Sequence, residues 1–196
     1  MEGDELPYVL EMARKYPNIV GVFLDDFFVP GKEGPKKSTG ALSPGQLRDL
    51  RARLQASGRK LETWVTFYSR VFDPTHPSHF ETDLPLSAYL DEFDVITMWT
   101  RGGRRLENLE SYMDQLHKVS PKPYKALGCD FWDFLNKAPV PIPLMEHQCN
   151  LGLKWLREGR IREMIFLANT VMDVNLEVVD WTRRWIERVG DQVLAE

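Results

Sequence analysis

The sequence predicts an α/β fold: a partial TIM-type (β/α) barrel with about five parallel strands, each followed by a helix. Three observations predict it. Short apolar segments alternate with amphipathic helical patterns, which implies a mainly parallel sheet joined by right-handed crossovers. Those segments are largely continuous in hydrophobicity, as expected of strands covered on both faces. The first of them runs into "DDFF" rather than a glycine-rich phosphate fingerprint, which counts against a nucleotide-binding open sheet. A complete barrel needs eight strands and typically about 250 residues. With 196 residues and five visible strands, the chain reads as the C-terminal portion of a barrel, folded as a single domain over 1–196.

The elements follow in order. A helix over 4–15 precedes the first strand, "NIVGVFL" (18–24), an apolar run that reads as buried. Residues 29–42, "VPGKEGPKKSTGAL", read as one long loop of the kind that is functional or mobile. In 44–57, Leu47, Leu50 and Leu54 recur at helical spacing. Ser43 stands as N-cap with Pro44 in the first turn, Gln46 completes a capping box, and Gly58 lies just past the end. "LETWVTFY" (61–68) is the second strand, followed by a Pro-rich loop over 70–87 and a short helix over 84–92. "FDVITMWT" (93–100) is the third strand, and Leu106, Leu109, Met113 and Leu116 mark a helix over 104–119. "YKALGCDF" (124–131) is the fourth, with Leu144, Leu151 and Trp155 marking a helix over 142–158 closed by Gly159. "EMIFLANT" (163–170) is the fifth, and Leu176, Val179, Trp185, Ile186 and Val189 mark the last helix, 174–189. Trp64, Trp155, Trp181 and Trp185 belong to strand or helix packing.

Bulk composition narrows the function classes. Hydrophobic residues make up 43% of the chain, enough for a well-buried core. The net charge of −4 is spread along the chain, with no basic block to suggest nucleic acid. The longest apolar stretches fall far short of the roughly 20 residues a membrane helix needs. The acidic, amphipathic start is no signal peptide, and localisation is left open. Cys129 and Cys149 fall in different elements and read as buried free thiols rather than a disulfide framework.

In parallel α/β folds, reactive groups gather beyond the C-terminal ends of the strands. Those ends carry Asp25 and Asp26, then Tyr68, Ser69 and Arg70, then Trp99, Thr100 and Arg101, then Asp130, Trp132 and Asp133, then Asn169 and Thr170. Asp25 and Asp26, taken as extended, point to opposite sides, so one faces the barrel mouth. A carboxylate at a dry mouth serves as general acid, nucleophile or electrostatic stabiliser. Asp130 and Asp133 are the natural second acids, and two carboxyls across a mouth suit glycosidic bond cleavage by retention or by inversion. The candidate catalytic residues are therefore Asp25, Asp26, Asp130 and Asp133. Tyr68, Trp99 and Trp132 suit stacking on sugar faces, with Phe27 and Phe28 near the first strand end. Arg101 and Asn169 complete the substrate-binding set. Arg70 and Arg101 also suit an anionic substrate group, or ordinary surface salt bridges. His76 and His79 in "HPSH" are spaced for a metal only if that segment forms a helical turn, which Pro77 opposes. His117 and His147 fall on helices and read as structural.

"NIVGVFLDDFFVP" resembles the motif of glycoside-hydrolase-like (β/α)8 barrels, in which "DG(I/V)-apolar-DDYFYP" ends the fourth strand. Asp25, Asp26, Phe28 and Pro30 match, Phe27 replaces the Tyr, and of the preceding Asp-Gly only Gly21 is kept. The later strand order, with a Trp-bearing strand end and "CDFWDF", also fits. The resemblance implies a carbohydrate-active barrel in which one or both adjacent acids act at the sugar, with a carbohydrate substrate. Neither a cofactor nor a resident metal is expected. Strands one to three of such a barrel are absent, and no Glu follows a strand end as acid catalyst. A non-catalytic carbohydrate-binding remnant is the alternative, and a metal-dependent hydrolase or isomerase using His76 and His79 a third. Neither nucleic acid nor a membrane is expected as partner.

A five-stranded sheet has edges that soluble proteins cover or pair. The expectation is that the N-terminal helix caps them or that a homodimer pairs them. Light scattering at micromolar concentration tests the dimer, and a strictly monomeric species rules it out.

Overall fold

The computed structural model of the chain describes residues 5–31, 34–167 and 173–192. In chain order the elements are α1 (Leu6–Lys15), β1 (Gly21–Leu24), β2 (Phe28–Gly31), β3 (Gly34–Gly40), α2 (Pro44–Gln55), β4 (Glu62–Tyr68), β5 (Glu81–Thr82), α3 (Leu86–Leu90), β6 (Val95–Trp99), α4 (Leu109–Val119), β7 (Tyr124–Asp130), β8 (Trp132–Asp133), β9 (Ala138–Pro139), α5 (Ile142–Arg157), β10 (Glu163–Leu167) and α6 (Glu177–Val189). Short 3₁₀ turns follow β4 (Ser69–Phe72) and precede α4 (Gly103–Asn108). Five strands form one parallel sheet in the order β1-β4-β6-β7-β10, flanked by helices: a partial TIM-type barrel, as the β/α alternation predicts. No helix among the described residues is long and apolar enough to cross a membrane. The chain divides into two compact units. One runs to Thr66 and adds Phe80–Ile96 and Val119–Pro123; the other holds Phe67–His79, Thr97–Lys118 and the chain from Tyr124 onward.

In the first unit, α1 packs Leu6 and Ala13 against Leu54 and Leu61, with Leu10, Ile19, Val22 and Leu50 around them. The Arg59 guanidinium donates to the carbonyls of Ala13, Tyr16, Pro17 and Ile19, which closes the turn from α1 into β1. Helix α2 starts as its sequence predicts. The Gln46 amide donates to Ser43 Oγ, and the Ser43 amide donates to Gln46 Oε1. Just past this helix and past α5, Gly58 and Gly159 adopt φ of +78° and +65°.

Two expectations fail in this unit. The first strand is not buried on both faces: among the described residues β1 is an edge strand pairing only with β4, and Phe23 is half exposed, its ring stacked 6.3 Å from that of Trp64. Its apolar run reflects one covered face and one partly open one. Residues 29–42 are not one loop either. Strands β2 and β3 pair antiparallel there, and β3 pairs parallel with β5, through Lys37 opposite Glu81 and Ser38 opposite Thr82. A rich aromatic contact set outweighs the weak strand propensity of Gly, Pro and Lys. Phe27 lies edge-on to Phe28, Tyr89 and Phe93, and Phe28 meets Phe80 and Tyr89, at centroid distances of 5.1 to 6.0 Å. Phe27 and Phe28 are therefore packing residues.

In the second unit, β7 sorts its side chains by strict alternation. Phe131 joins Cys149, Met145, Val178, Val179 and Trp185 in a core between the sheet and helices α5 and α6. Leu127 reaches α5 as well, its Cδ2 lying 3.0 Å from where a Cβ on Gly152 would stand. Gly128 and Asp130 consequently share the opposite face. There the Trp99 indole lies flat on β7: a Cβ on Gly128 would stand 2.2 Å from Trp99 Cδ2. Cys129 and Cys149 are buried free thiols, as the sequence suggests. Burial pushes Cys149 up to about 12 and Cys129 well upward, so neither is a thiolate at neutral pH. The predicted fifth strand is present as β10; residues 168–170 of it lie outside the described residues.

Gly128→Ala forces either the indole or the β7 backbone to move. It is expected to cost roughly 1–3 kcal/mol by overpacking, read as a lower urea midpoint at unchanged slope. A midpoint equal to wild type would contradict the packing described for Trp99.

Candidate active site

In the first unit, β1 ends its pairing at Leu24 opposite Val65, and the chain then turns. Asp26 sits in the left-handed region at φ +42°, a conformation Asp tolerates better than most residues. The strand alternation expected for Asp25 and Asp26 therefore stops before it reaches them. Asp25 Oδ1 accepts from Thr66 Oγ1 at 2.8 Å and from the Asp26 amide at 2.9 Å, so a β4 side chain fixes its position. Both acids are exposed to solvent rather than set in a dry mouth.

The second unit holds the more unusual acid. Asp130 ends β7 and is only 6% exposed, yet neither carboxyl oxygen has a hydrogen-bond partner among the described residues. Burial pushes its pKa up to about 6; the Arg101 guanidinium opposes the rise and Asp133 adds to it. Asp133, on β8, has the reverse environment. Its Oδ2 accepts from the Gly103 amide at 2.6 Å and from Asn136 Nδ2 at 2.5 Å, and its Oδ1 from the amides of Leu135 and Asn136 at 3.0 and 3.1 Å. Burial works against its charge, but the donors of Gly103, Asn136 and Leu135 outweigh burial and hold Asp133 below the ordinary carboxylate range. Four donors occupy its lone pairs, so Asp133 organises the β8–β9 hairpin and the turn before α4.

The expected stacking residues are engaged by their own neighbours. The Tyr68 ring carries two guanidinium groups, Arg70 at 4.6 Å and Arg101 at 4.5 Å from its centroid. Arg101 also lies 4.8 Å from the centroid of Phe134. Trp99 is buried against Gly128, and Trp132 is half buried on β8 opposite Pro139. Asn169 lies outside the described residues.

Sequence reasoning missed Asp73. Its Oδ1 accepts from the amide and hydroxyl of Thr75 at 2.9 and 2.6 Å, and its Oδ2 from Arg105 Nε at 2.8 Å and Tyr112 Oη at 3.3 Å. Burial opposes ionisation there too, but Thr75 and Arg105 hold the carboxyl down at about 2. The signal was present: "DPT" has the spacing of an Asx-turn, in which Asp bonds the backbone two residues on. His76 Nδ1 accepts from the Ser78 amide at 3.0 Å, which leaves the proton on Nε2 in the neutral ring. Burial, then Arg105 and Arg70, lower its pKa. His79 Nδ1 lies 2.9 Å from the Arg70 carbonyl. Among the described residues, no three His, Cys, Asp or Glu side chains converge as a metal-holding group.

No protein-family model matches the chain, and no curated protein does. Among solved structures it is similar to the glycoside hydrolase domain of PgaB (BpsB) from Bordetella bronchiseptica, at 17% identity and a TM-score of 0.42. The match covers 71% of this chain and 41% of that one, so the chain spans well under half of the protein it resembles. A likeness at that level bears on no residue or activity here.

The two shifted acids act on stability in opposite directions. The native pKa of Asp130, about 6, exceeds the ~3.9 of an unfolded Asp, so the native state holds this proton more tightly. Its contribution is favourable at low pH and is lost as pH rises from about 4 to 6. Asp73, held at about 2, contributes stability that is lost as pH falls below about 4. Asp130→Asn should match wild type near pH 4 and exceed it at pH 8 by about 3 kcal/mol. Urea titrations at several pH values measure this, and a difference that does not change with pH argues against the buried acid.

Proposed function

We propose that the protein is a glycoside hydrolase-like enzyme that cleaves oligo- or polysaccharide, with Asp130 as the general acid. The single observation that supports this most is the environment of Asp130. A buried carboxyl at a barrel strand end, with both oxygens unpartnered and its pKa raised to about 6, keeps a protonated fraction at mildly acidic to neutral pH that can donate to a leaving glycosidic oxygen. Asp130 and Asp133 lie close in sequence, yet their environments drive their protonation apart, which is how one fold supplies both an acid and a fixed negative charge. Asp133, with four donors on its oxygens, serves as that charge and as a positioning group. Asp25 and Asp26, exposed acids at the end of β1 in the first unit, are the other candidate carboxylates and are tested by substitution. Trp132, half buried, is the expected aromatic surface for the sugar. Tyr68 and Trp99 support the site from behind, since their rings are already covered by Arg70, Arg101 and the β7 backbone.

A mass-spectrometric screen of an oligosaccharide pool tests the reading. Wild type should release products, Asp130→Asn should lose roughly 10²–10⁴ in kcat, and the Asp25→Asn/Asp26→Asn double variant should lose turnover while staying folded. The wild-type kcat/KM should fall as pH rises through about 6, because the donor must hold its proton. Undiminished turnover in Asp130→Asn rules out its role as the acid.

A further inference from the structure

We propose that Arg101 is a specificity residue that receives an anionic group, a carboxylate or a sulfate, carried by the substrate saccharide. The inference rests on the glycosidase reading only in taking the ligand to be a sugar. Arg101 follows β6 directly, at the end of the sheet where barrel sites assemble. Its guanidinium is held by aromatic rings, Tyr68 at 4.5 Å and Phe134 at 4.8 Å, and by no acid. It makes no side-chain hydrogen bond or ion pair among the described residues, and its Nε is buried without a partner.

Several other arginines of the chain are neutralised locally. Arg48 pairs with Glu92, Arg51 with Asp94, Arg105 with Asp73, and Arg162 with Glu163, at 2.7 to 2.9 Å; Arg160 pairs with Asp114. The acids near Arg101 are unsuited to that task. Asp133 has spent its oxygens on backbone and amide donors. Asp130 interacts with Arg101 through space but forms no ion pair with it, and burial keeps it partly protonated. His76 is neutral. The Arg70 guanidinium lies on the same Tyr68 ring at 4.6 Å. Ring stacking fixes the guanidinium plane, which suits the fork geometry by which Arg grips carboxylate or sulfate oxygens.

The test is a titration calorimetry series with three probes of matched length: oligogalacturonates, sulfated galactan oligosaccharides and neutral xylo-oligosaccharides. Catalytically silent Asp130→Asn protein serves as the background, so that binding is read without turnover. At least one acidic probe is expected to bind about tenfold more tightly than the neutral one, the size of one charge-assisted contact. That preference should weaken at high salt and vanish in Arg101→Gln. The carboxylated and sulfated arms identify which anion is used. Equal affinity for acidic and neutral probes overturns the proposal, as does an acidic preference that survives in folded Arg101→Gln. If Arg101→Gln does not fold, Arg101→Lys decides: it keeps the charge and loses the fork, and an undiminished preference there overturns the assignment. Acidic probes that bind but are never cleaved by wild type would sink the glycosidase reading and leave this one standing. Neutral probes cleaved without any acidic preference would do the reverse.

Discussion

The close contact between the Trp99 indole and the β7 backbone at Gly128 is the constraint on which the second unit depends. A strand exposes alternate residues to opposite faces, so a side chain missing at 128 leaves a slot on one face only. The indole fills that slot, and the same alternation brings Asp130, two residues on, to that face. On the other face Leu127 and Phe131 are committed to α5 and α6. Slipping β7 by one residue would send Asp130 into that helical core and Phe131 to the strand-end site. The packing of the core and the presentation of the acid are therefore one decision.

Three acids in this unit then diverge because of what donates to them. Asp73 and Asp133 are both partly buried, and each collects four donors that stabilise its charge. Asp130 is as buried as either and collects none among the described residues. Burial alone raises a carboxyl pKa, and hydrogen bonds or a close cation lower it. The result is a span from about 2 at Asp73 to about 6 at Asp130 within one unit. The paired acids anchor a loop and a hairpin, and the orphan acid keeps both oxygens unpartnered among the described residues.

The first unit solves a different problem, that of ending a sheet. β1 is short and half open, and the chain beyond it folds back as a hairpin over an aromatic cluster rather than running on as an exposed edge. Asp83 ties that hairpin to α3: Thr39 and Tyr89 donate to its carboxylate, and its own amide donates to the Ser38 carbonyl. The turn that begins the hairpin holds Asp25 and Asp26, so the sharp change in chain direction and the exposed acids have one cause.

The alternation of apolar strand and amphipathic helix was legible from residue order alone, because hydrophobic period and helix caps are local properties. Ser43, Gln46 and Gly58 bound α2 as their types dictate, and the five strands fall within the segments that hydrophobicity marks. The hairpin at β2–β3 was not legible, since Gly, Pro and Lys carry no strand signal and the aromatic partners Phe80, Tyr89 and Phe93 lie far along the chain. The candidate acids were legible as strand-end residues, but their characters were not. Asp130 and Asp133 look alike in sequence, and only folding brings Gly103 to one and leaves the other bare. Tyr68 and Arg101 read as separate substrate contacts until the fold lays one on the other. Residue order by itself determined the scaffold and where its polar groups emerge, because those follow from neighbours in the chain. Tertiary structure alone decided which of those groups stay reactive, because protonation and hydrogen bonding are set by partners distant in sequence.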